Sequence, residues 1–366
     1  MATMLCYSPA MKWLTPVLLP VLFICGIGVH ASAQGLEWEA LNKEALSLYQ
    51  TGQYDRAAAV AKKASVAAEA SMGHDHPAVA TSLDTLAVIY HTQGRYALAE
   101  PLYTRALAIM EKNYGADDPR AATILDDLAQ LYRTQGRYAE AEPLFTRVVD
   151  ITERAYGFDD PIVATSLSKL AALYRDQHLY AKAEPLYTRA LAIMEKHYGP
   201  NAPATATSLN NLAGFYHDRG QYLEAVRMYR RTLAIREKTL GPDAPEVATS
   251  LNDLAALYYD QRRFAKAEPL YTRALAIREK ALGPDHPAVA TSLDNLAVLY
   301  IAQRRYALAE PLFKRSLSIM EKALGPNHPA VAMSLNNLAG LYAKTGREAE
   351  AKELARRAAA ILAIKR

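Results

Sequence analysis

Seven prolines set the limits on what this chain can fold into. They stand at 77, 119, 161, 203, 245, 287 and 329, each 42 residues from the next. Leu86, Leu128, Leu170, Leu212, Leu254, Leu296 and Leu338 keep the same step, as do Tyr90, Tyr132, Tyr174, Tyr216, Tyr258, Tyr300 and Tyr342. A period of this length without slippage marks a solenoid, in which each unit packs only on its neighbours. A length of 366 residues would otherwise suggest two or three domains. The period replaces that expectation with one elongated core.

Inside a unit the apolar spacing is helical. In the unit at 75 to 114, Leu83, Leu86, Ala87 and Tyr90 fall on one stripe of a 3.6-residue helix. Asp75 is expected to cap that helix, with Pro77 in its first turn. Gly94-Arg95-Tyr96 reads as a turn. A second helix then carries Ala99, Leu102, Tyr103, Ala106, Leu107 and Met110 and stops at Gly115, which is expected to supply a left-handed residue. Residues 36 to 72 read as a degenerate first repeat, in register through Gly52, Tyr54 and Ala57. Seven 42-residue units follow over 75 to 364. The last is a C-terminal cap, its final helix crowded with Glu348, Lys352, Glu353, Arg356 and Arg357.

The first 33 residues form a separate object. Lys12 precedes an apolar run from Trp13 to Val29, and Ala31-Ser32-Ala33 closes it. That order reads as a secretory signal peptide over 1–33, with Met11 a more natural start than Met1. An uncleaved anchor fits poorly, because Pro16 and Pro20 interrupt a run already short for a span. Acylation at Cys25 fits poorly too, since Phe23 and Ile24 are bulky where small residues are expected. Cleavage after Ala33 removes Cys6 and Cys25, the only cysteines. The expected product is an exported chain, periplasmic or secreted, without disulfides and without a stable membrane span.

The stripe Leu83, Leu86, Ala87, Tyr90, Ala99, Tyr103, Ala106 has the spacing of a tetratricopeptide repeat. With Leu209-Asn210-Asn211-Leu212-Ala213 and Gly283-Pro284-Asp285-His286-Pro287, the 42-residue unit closely resembles the kinesin light chain type. The resemblance covers about 75 to 364. It implies an all-α solenoid, a right-handed superhelix of antiparallel helix pairs, whose concave groove binds extended segments of partner proteins. Kinesin is a cytosolic motor, so for an exported chain only the repeat type carries over.

The groove can be read from the residues as well. Thr81, Asp84, Thr85, Val88 and Thr92 point away from the core stripe of the first helix. At the place of Asp84 come Asp126, Ser168, Asn210, Asn252, Asp294 and Asn336; at that of Thr85 come Asp127, Lys169, Asn211, Asp253, Asn295 and Asn337. Amides and hydroxyls can donate to and accept from a peptide backbone. In the light-chain family the asparagine pair before Leu-Ala holds cargo backbone. By resemblance, Asn210, Asn211, Asn295, Asn336 and Asn337 are contact candidates, with Asn252 next, and Asp84, Asp126, Asp127 and Lys169 share their face. The competing reading is that these side chains solvate the face or bridge adjacent repeats. Acids outnumber bases on this surface, which favours basic or neutral segments as ligands.

Other chemistry finds no pattern. A net charge of +4 is too weak for nucleic acid. His74, His76, His286 and His328 lie in inter-repeat loops, where a helix-start role before proline fits better than a metal site. No catalytic grouping, phosphate loop or cofactor motif is recognisable. Arg105, Arg147, Arg189, Arg231, Arg273, Arg315 and Arg357 form a ladder, with glutamates six residues after most of them, and this reads as inter-repeat ion pairing. The expected function is a non-enzymatic scaffold that binds a peptide or protein segment in the groove. The alternative is a structural subunit of an envelope assembly, built through the convex face or the helix ends.

Overall fold

The computed structural model describes residues 33–363. The expected signal segment, apart from Ala33, lies outside the described residues. Sixteen α-helices follow one another, and no strand occurs among the described residues. They pair as α1 (Ala33–Gln50) with α2 (Tyr54–Met72), α3 (Pro77–Thr92) with α4 (Tyr96–Tyr114), α5 (Pro119–Thr134) with α6 (Tyr138–Tyr156), and α7 (Pro161–Asp176) with α8 (Tyr180–Tyr198). Then come α9 (Pro203–Asp218) with α10 (Tyr222–Leu240), α11 (Pro245–Asp260) with α12 (Phe264–Leu282), α13 (Pro287–Ala302) with α14 (Tyr306–Leu324), and α15 (Pro329–Lys344) with α16 (Glu348–Ala363).

Each odd helix after α1 begins at the periodic proline, whose missing N–H costs nothing at that position. The residue before the proline is the cap. His76, His286 and His328 accept through Nδ1 from the backbone N–H two residues on, at 3.0–3.1 Å. Asp118 and Asp160 do the same through Oδ1, at 2.9 and 2.8 Å. The cap expected of Asp75 therefore falls one residue later, on His76, and Asp75 pairs with Lys112 instead. The periodic glycines also differ from expectation. Gly73 has φ 89° and ψ 161°, and Gly115 has φ 94° and ψ 157°. This is the extended mirror region open essentially to glycine alone, rather than the left-handed helical one. The extended ψ carries the chain out of the even helix toward the next cap.

The turn inside each pair does need the left-handed conformation. Gly94 supplies it at φ 66°, but His178, Arg262 and Arg304 adopt φ 58–60° at the same place. Each non-glycine residue there costs roughly 1–2 kcal/mol.

Small residues let the helices close on one another. Ala87, Ala99 and Ala106 and their counterparts in later units are buried. One aromatic in each even helix from α4 to α14 fills the space between pairs: Tyr103, Phe145, Tyr187, Tyr229, Tyr271 and Phe313, all buried. Burying each side chain of this size contributes about 1.5–3 kcal/mol.

Successive even helices are tied by ions. Arg147, Arg189, Arg231, Arg273 and Arg315 reach the glutamate 36 residues back, at 2.5–2.8 Å. Arg105 pairs likewise with Glu69, and Arg357 with Glu321. The arginine ladder is thus an inter-repeat clamp. The odd helices instead touch one another from pair to pair, as α1 does α3 and α13 does α15. No two even helices approach so closely among the described residues, so the array curves with its odd helices inside. The curvature carries the start of α15 back onto the end of α3. There His328 donates through Nε2 to the carbonyl of Thr92 at 2.8 Å, across 236 residues of sequence.

Candidate functional site

The inner face is a row of seven odd helices from α3 to α15, each presenting one turn-by-turn column of side chains. Two columns sit on adjacent positions of each helix. One looks toward the following pair and the other toward the preceding pair, because adjacent residues are about 100° apart. Residue i therefore meets residue i+43, one more than the period. Tyr49 bonds Thr92 at 3.0 Å, His91 meets Thr134 at 3.3 Å, and Arg133 donates to Asp176 at 2.7 Å. Arg175 pairs with Asp218 at 3.3 Å, and His217 meets Asp260 at 2.7 Å. These rungs join α1 to α11 without a break. Gly214 keeps the middle of the ladder open. A Cβ there would stand 3.4 Å from both the Arg175 guanidinium and the Tyr229 hydroxyl.

Sequence reading missed this ladder. It counted Arg133, Arg175, Asp176, Asp218 and Asp260 as loose charges of the face. The signal was present, as a base followed one repeat and one residue later by an acid.

The candidate residues form a second ladder nearer the helix starts, in the same register. Lys169 pairs with Asp126. Asn210 donates from Nδ2 to Asp253 at 2.8 Å. Asn252 is buried and departs from the register, donating to Ser292, 40 residues on, at 3.3 Å. Asn211, Asn295 and Asn337 are half-buried, and Asn336 is exposed. The amides of Asn211, Asn295 and Asn337 carry no hydrogen bond to another described residue. The candidates thus divide into four that bridge repeats and a set whose amides stay available.

Asp84 and Asp127 form the remaining rung, acid facing acid. Burial pushes the Asp84 carboxyl up to about 7. Burial raises Asp127 well above the usual carboxylate range, the charges of Asp84 and Asp126 add to it, and Lys169 opposes. Farther along, burial also takes Asp294 up to about 7, opposed by the nearby Ser316 and Ser334 hydroxyls. Burial takes His91 down to about 4. No group of three or more metal-ligating side chains is placed to hold an ion among the described residues. No described helix is long and apolar enough to cross a membrane.

A sequence profile described as tetratricopeptide repeat matches residues 39–112, 86–154, 162–238, 205–280, 246–322 and 295–363. The chain belongs to the tetratricopeptide repeat family. No curated protein sequence matches this tetratricopeptide chain. Among solved structures it is similar to BtubC (BKLC) from P. vanneervenii, at 26% identity and TM-score 0.53, over 62% of this chain and 91% of that one. It is similar to a Podosopora anserina putative kinesin light chain with nearly identical TPR-like repeats, at 28% identity and TM-score 0.46, over 56% and 96%. A Rap protein complexed with competence and sporulation factor matches at 16% identity and TM-score 0.57, over 90% of this chain and 99% of that one. This last likeness is one of fold.

Proposed function

We propose that the chain is a non-enzymatic scaffold that holds an extended peptide or protein segment along its inner face. The observation that carries this reading is the set of amides at Asn211, Asn295 and Asn337. They recur at whole-repeat intervals on one face, while Asn210, beside the first of them, and Asn252 are used up between repeats. An array of amides at fixed spacing can pair with the N–H and C=O groups of an extended backbone. The preformed curve keeps the reorganisation on binding small. The Rap structure, with its bound competence and sporulation factor, gives a precedent for a ligand on this fold.

Acid on this face survives the pairing of Asp126, Asp176 and Asp218, since Asp84, Asp127 and Asp294 have no base opposite them. A basic or neutral segment is the ligand that such a surface favours. The apolar leader and its Ala31-Ser32-Ala33 site suit a scaffold working in the periplasm or beyond. Recovery of an exported form beginning at Gln34 by N-terminal sequencing supports that location, and a protein retained in the cytoplasm overturns it.

The test of function is affinity capture from envelope and secreted fractions, with the chain and its Asn211→Ala/Asn295→Ala/Asn337→Ala variant run side by side. A partner held by the wild type and lost from the variant supports the groove. A partner held equally by both moves the function to the convex face or the helix ends, as in a structural subunit.

A further inference from the structure

The acid-on-acid rung is the one place where the second ladder works against itself. Elsewhere that register sets lysine or an amide on aspartate, or an amide on a hydroxyl or a second amide. Here Asp84 of α3 faces Asp127 of α5, and neither makes a hydrogen bond or an ion pair with a described residue. The Lys169 ammonium lies nearby but is engaged by Asp126. Asp84 Oδ1 is buried and has no hydrogen-bond partner.

A second observation comes from the helix behind. Tyr103 of α4 is fully buried, and its hydroxyl also lacks a partner. Beyond burial itself, the charges that bear on that phenol are those of Asp127, Asp84, Tyr49 and Asp126, which sets Tyr103 beside the same cluster. Buried hydroxyls are normally bonded, and an unmet one costs about 1–3 kcal/mol. Two surplus carboxyl groups and an unused phenol oxygen thus converge on one spot of the inner face. All three can accept hydrogen bonds.

We propose that Asp84 and Asp127, with the Tyr103 hydroxyl beneath them, form a subsite for one lysine or arginine side chain of the bound segment. The inference rests on the groove reading above and sharpens it to a position and a charge. A cationic head brings several N–H donors at once, enough for both carboxylates and the phenol. It also supplies a positive charge between two facing acids, where the rung itself has none. A divalent metal suits the site less well, since no three ligating groups are arranged to hold one. The aliphatic stem of such a side chain would lie along the half-buried surface of Val88, one turn from Asp84.

The experiment uses two nine-residue peptides as probes, Ac-Gly-Ala-Ala-Ala-Arg-Ala-Ala-Ala-Gly-amide and its citrulline counterpart, which keeps the shape and loses the charge. Binding to the purified chain is followed by NMR, reading the backbone amides of α3 and α5 around Asp84 and Asp127. The expected result is at least a tenfold preference for arginine over citrulline, abolished in Asp84→Asn/Asp127→Asn. Both changes are isosteric and remove like-charge repulsion, so the variant should fold. Tyr103→Phe gives a second reading, with the preference reduced about threefold. Equal binding of the two peptides, with shifts spread along the inner face, overturns the subsite and leaves the groove standing. Shifts from neither peptide on any odd helix overturn the subsite and count against the groove too. An arginine preference that survives in the double variant places the cation elsewhere and also overturns the proposal.

Discussion

The inner face changes character at α11. From α1 to α11, the first ladder of polar side chains joins each odd helix to the next, ending at His217 with Asp260. Beyond it the same register holds Tyr259 opposite Ala302 and Ile301 opposite Lys344. Tyr259 and Ile301 pack instead onto the cores around Tyr271 and Phe313. Odd helices touch in both stretches, α7 with α9 as α13 with α15, so that contact does not depend on the polar rungs. They impose a matching condition. A buried guanidinium must meet its carboxylate in each neighbouring repeat or bear an uncompensated charge, whereas an apolar rung asks only for contact. Along this ladder, repeat order is therefore specified by charge in the N-terminal two thirds, whereas the C-terminal third keeps only the second ladder's bonds, such as Asn252 to Ser292.

The largest effect is expected where a rung loses one partner. Asp176→Ala takes the facing carboxylate from the Arg133 guanidinium, whose side chain is 4% exposed. It should cost about 3–5 kcal/mol in urea unfolding. Replacing both partners with apolar residues of similar size should recover most of that loss. Leu212→Ala follows. The side chain is 3% exposed, in the cluster with Tyr187 and Phe215 at the junction of successive pairs. The cost should be about 2–5 kcal/mol, with the single unfolding transition splitting in two as coupling fails. In the apolar third, Ile301→Ala removes a half-buried contact and no charge, at about 1–2 kcal/mol.

A pH series sharpens the comparison further. The Asp84 carboxyl is raised to about 7 in the folded chain, so between the ordinary carboxylate value and 7 the folded state holds a proton that the unfolded state releases. The resulting stabilisation is present at low pH and is lost as pH rises through about 7. The groups that bear on this pair are Tyr49 on α1, Tyr103 on α4, Asp126 on α5 and Lys169 on α7. His91, lowered to about 4, works in the opposite direction, its contribution fading as pH falls below its ordinary value near 6.5. Subtracting the melting curves of Asp84→Asn/Asp127→Asn from those of the wild type between pH 5 and 8 removes the His91 part. The difference should decline steadily toward pH 8, and a flat difference would contradict the raised carboxyls. The smallest effect is expected from the free amides. Asn211→Ala/Asn295→Ala/Asn337→Ala should lie within about 0.5 kcal/mol per site of the wild type. Asn210→Ala, which loses the bond to Asp253, should cost about 1 kcal/mol.

Most of the fold was legible because the period is unbroken. Proline 77 and its successors start the odd helices, and the aromatic at Tyr103 and its successors falls in the core, as helical spacing requires. The arginine ladder was legible too, since its partners stand at a constant offset. The cap was misplaced by one residue because histidine is not the usual capping type, although Nδ1 accepts as a carboxylate does. The inner ladders stayed hidden for a geometric reason. Their partners obey the period plus one, an offset set by how neighbouring helices face each other and not by either helix alone. Asp84 with Asp127 looked like two entries in a charge tally until the packing set them on one rung.

The bond from His328 to Thr92 has a consequence of its own. Everything between those residues is a stack of near-identical joints, and the position of the last depends on the sum of all their angles. A rotation of a degree or so at each joint is too slight to disturb any single rung, yet the displacements add in one direction and appear undivided at this contact. His328 therefore works as the pointer of a vernier. It is held only while the whole stack keeps its pitch, and it is released by a strain that no individual repeat would register.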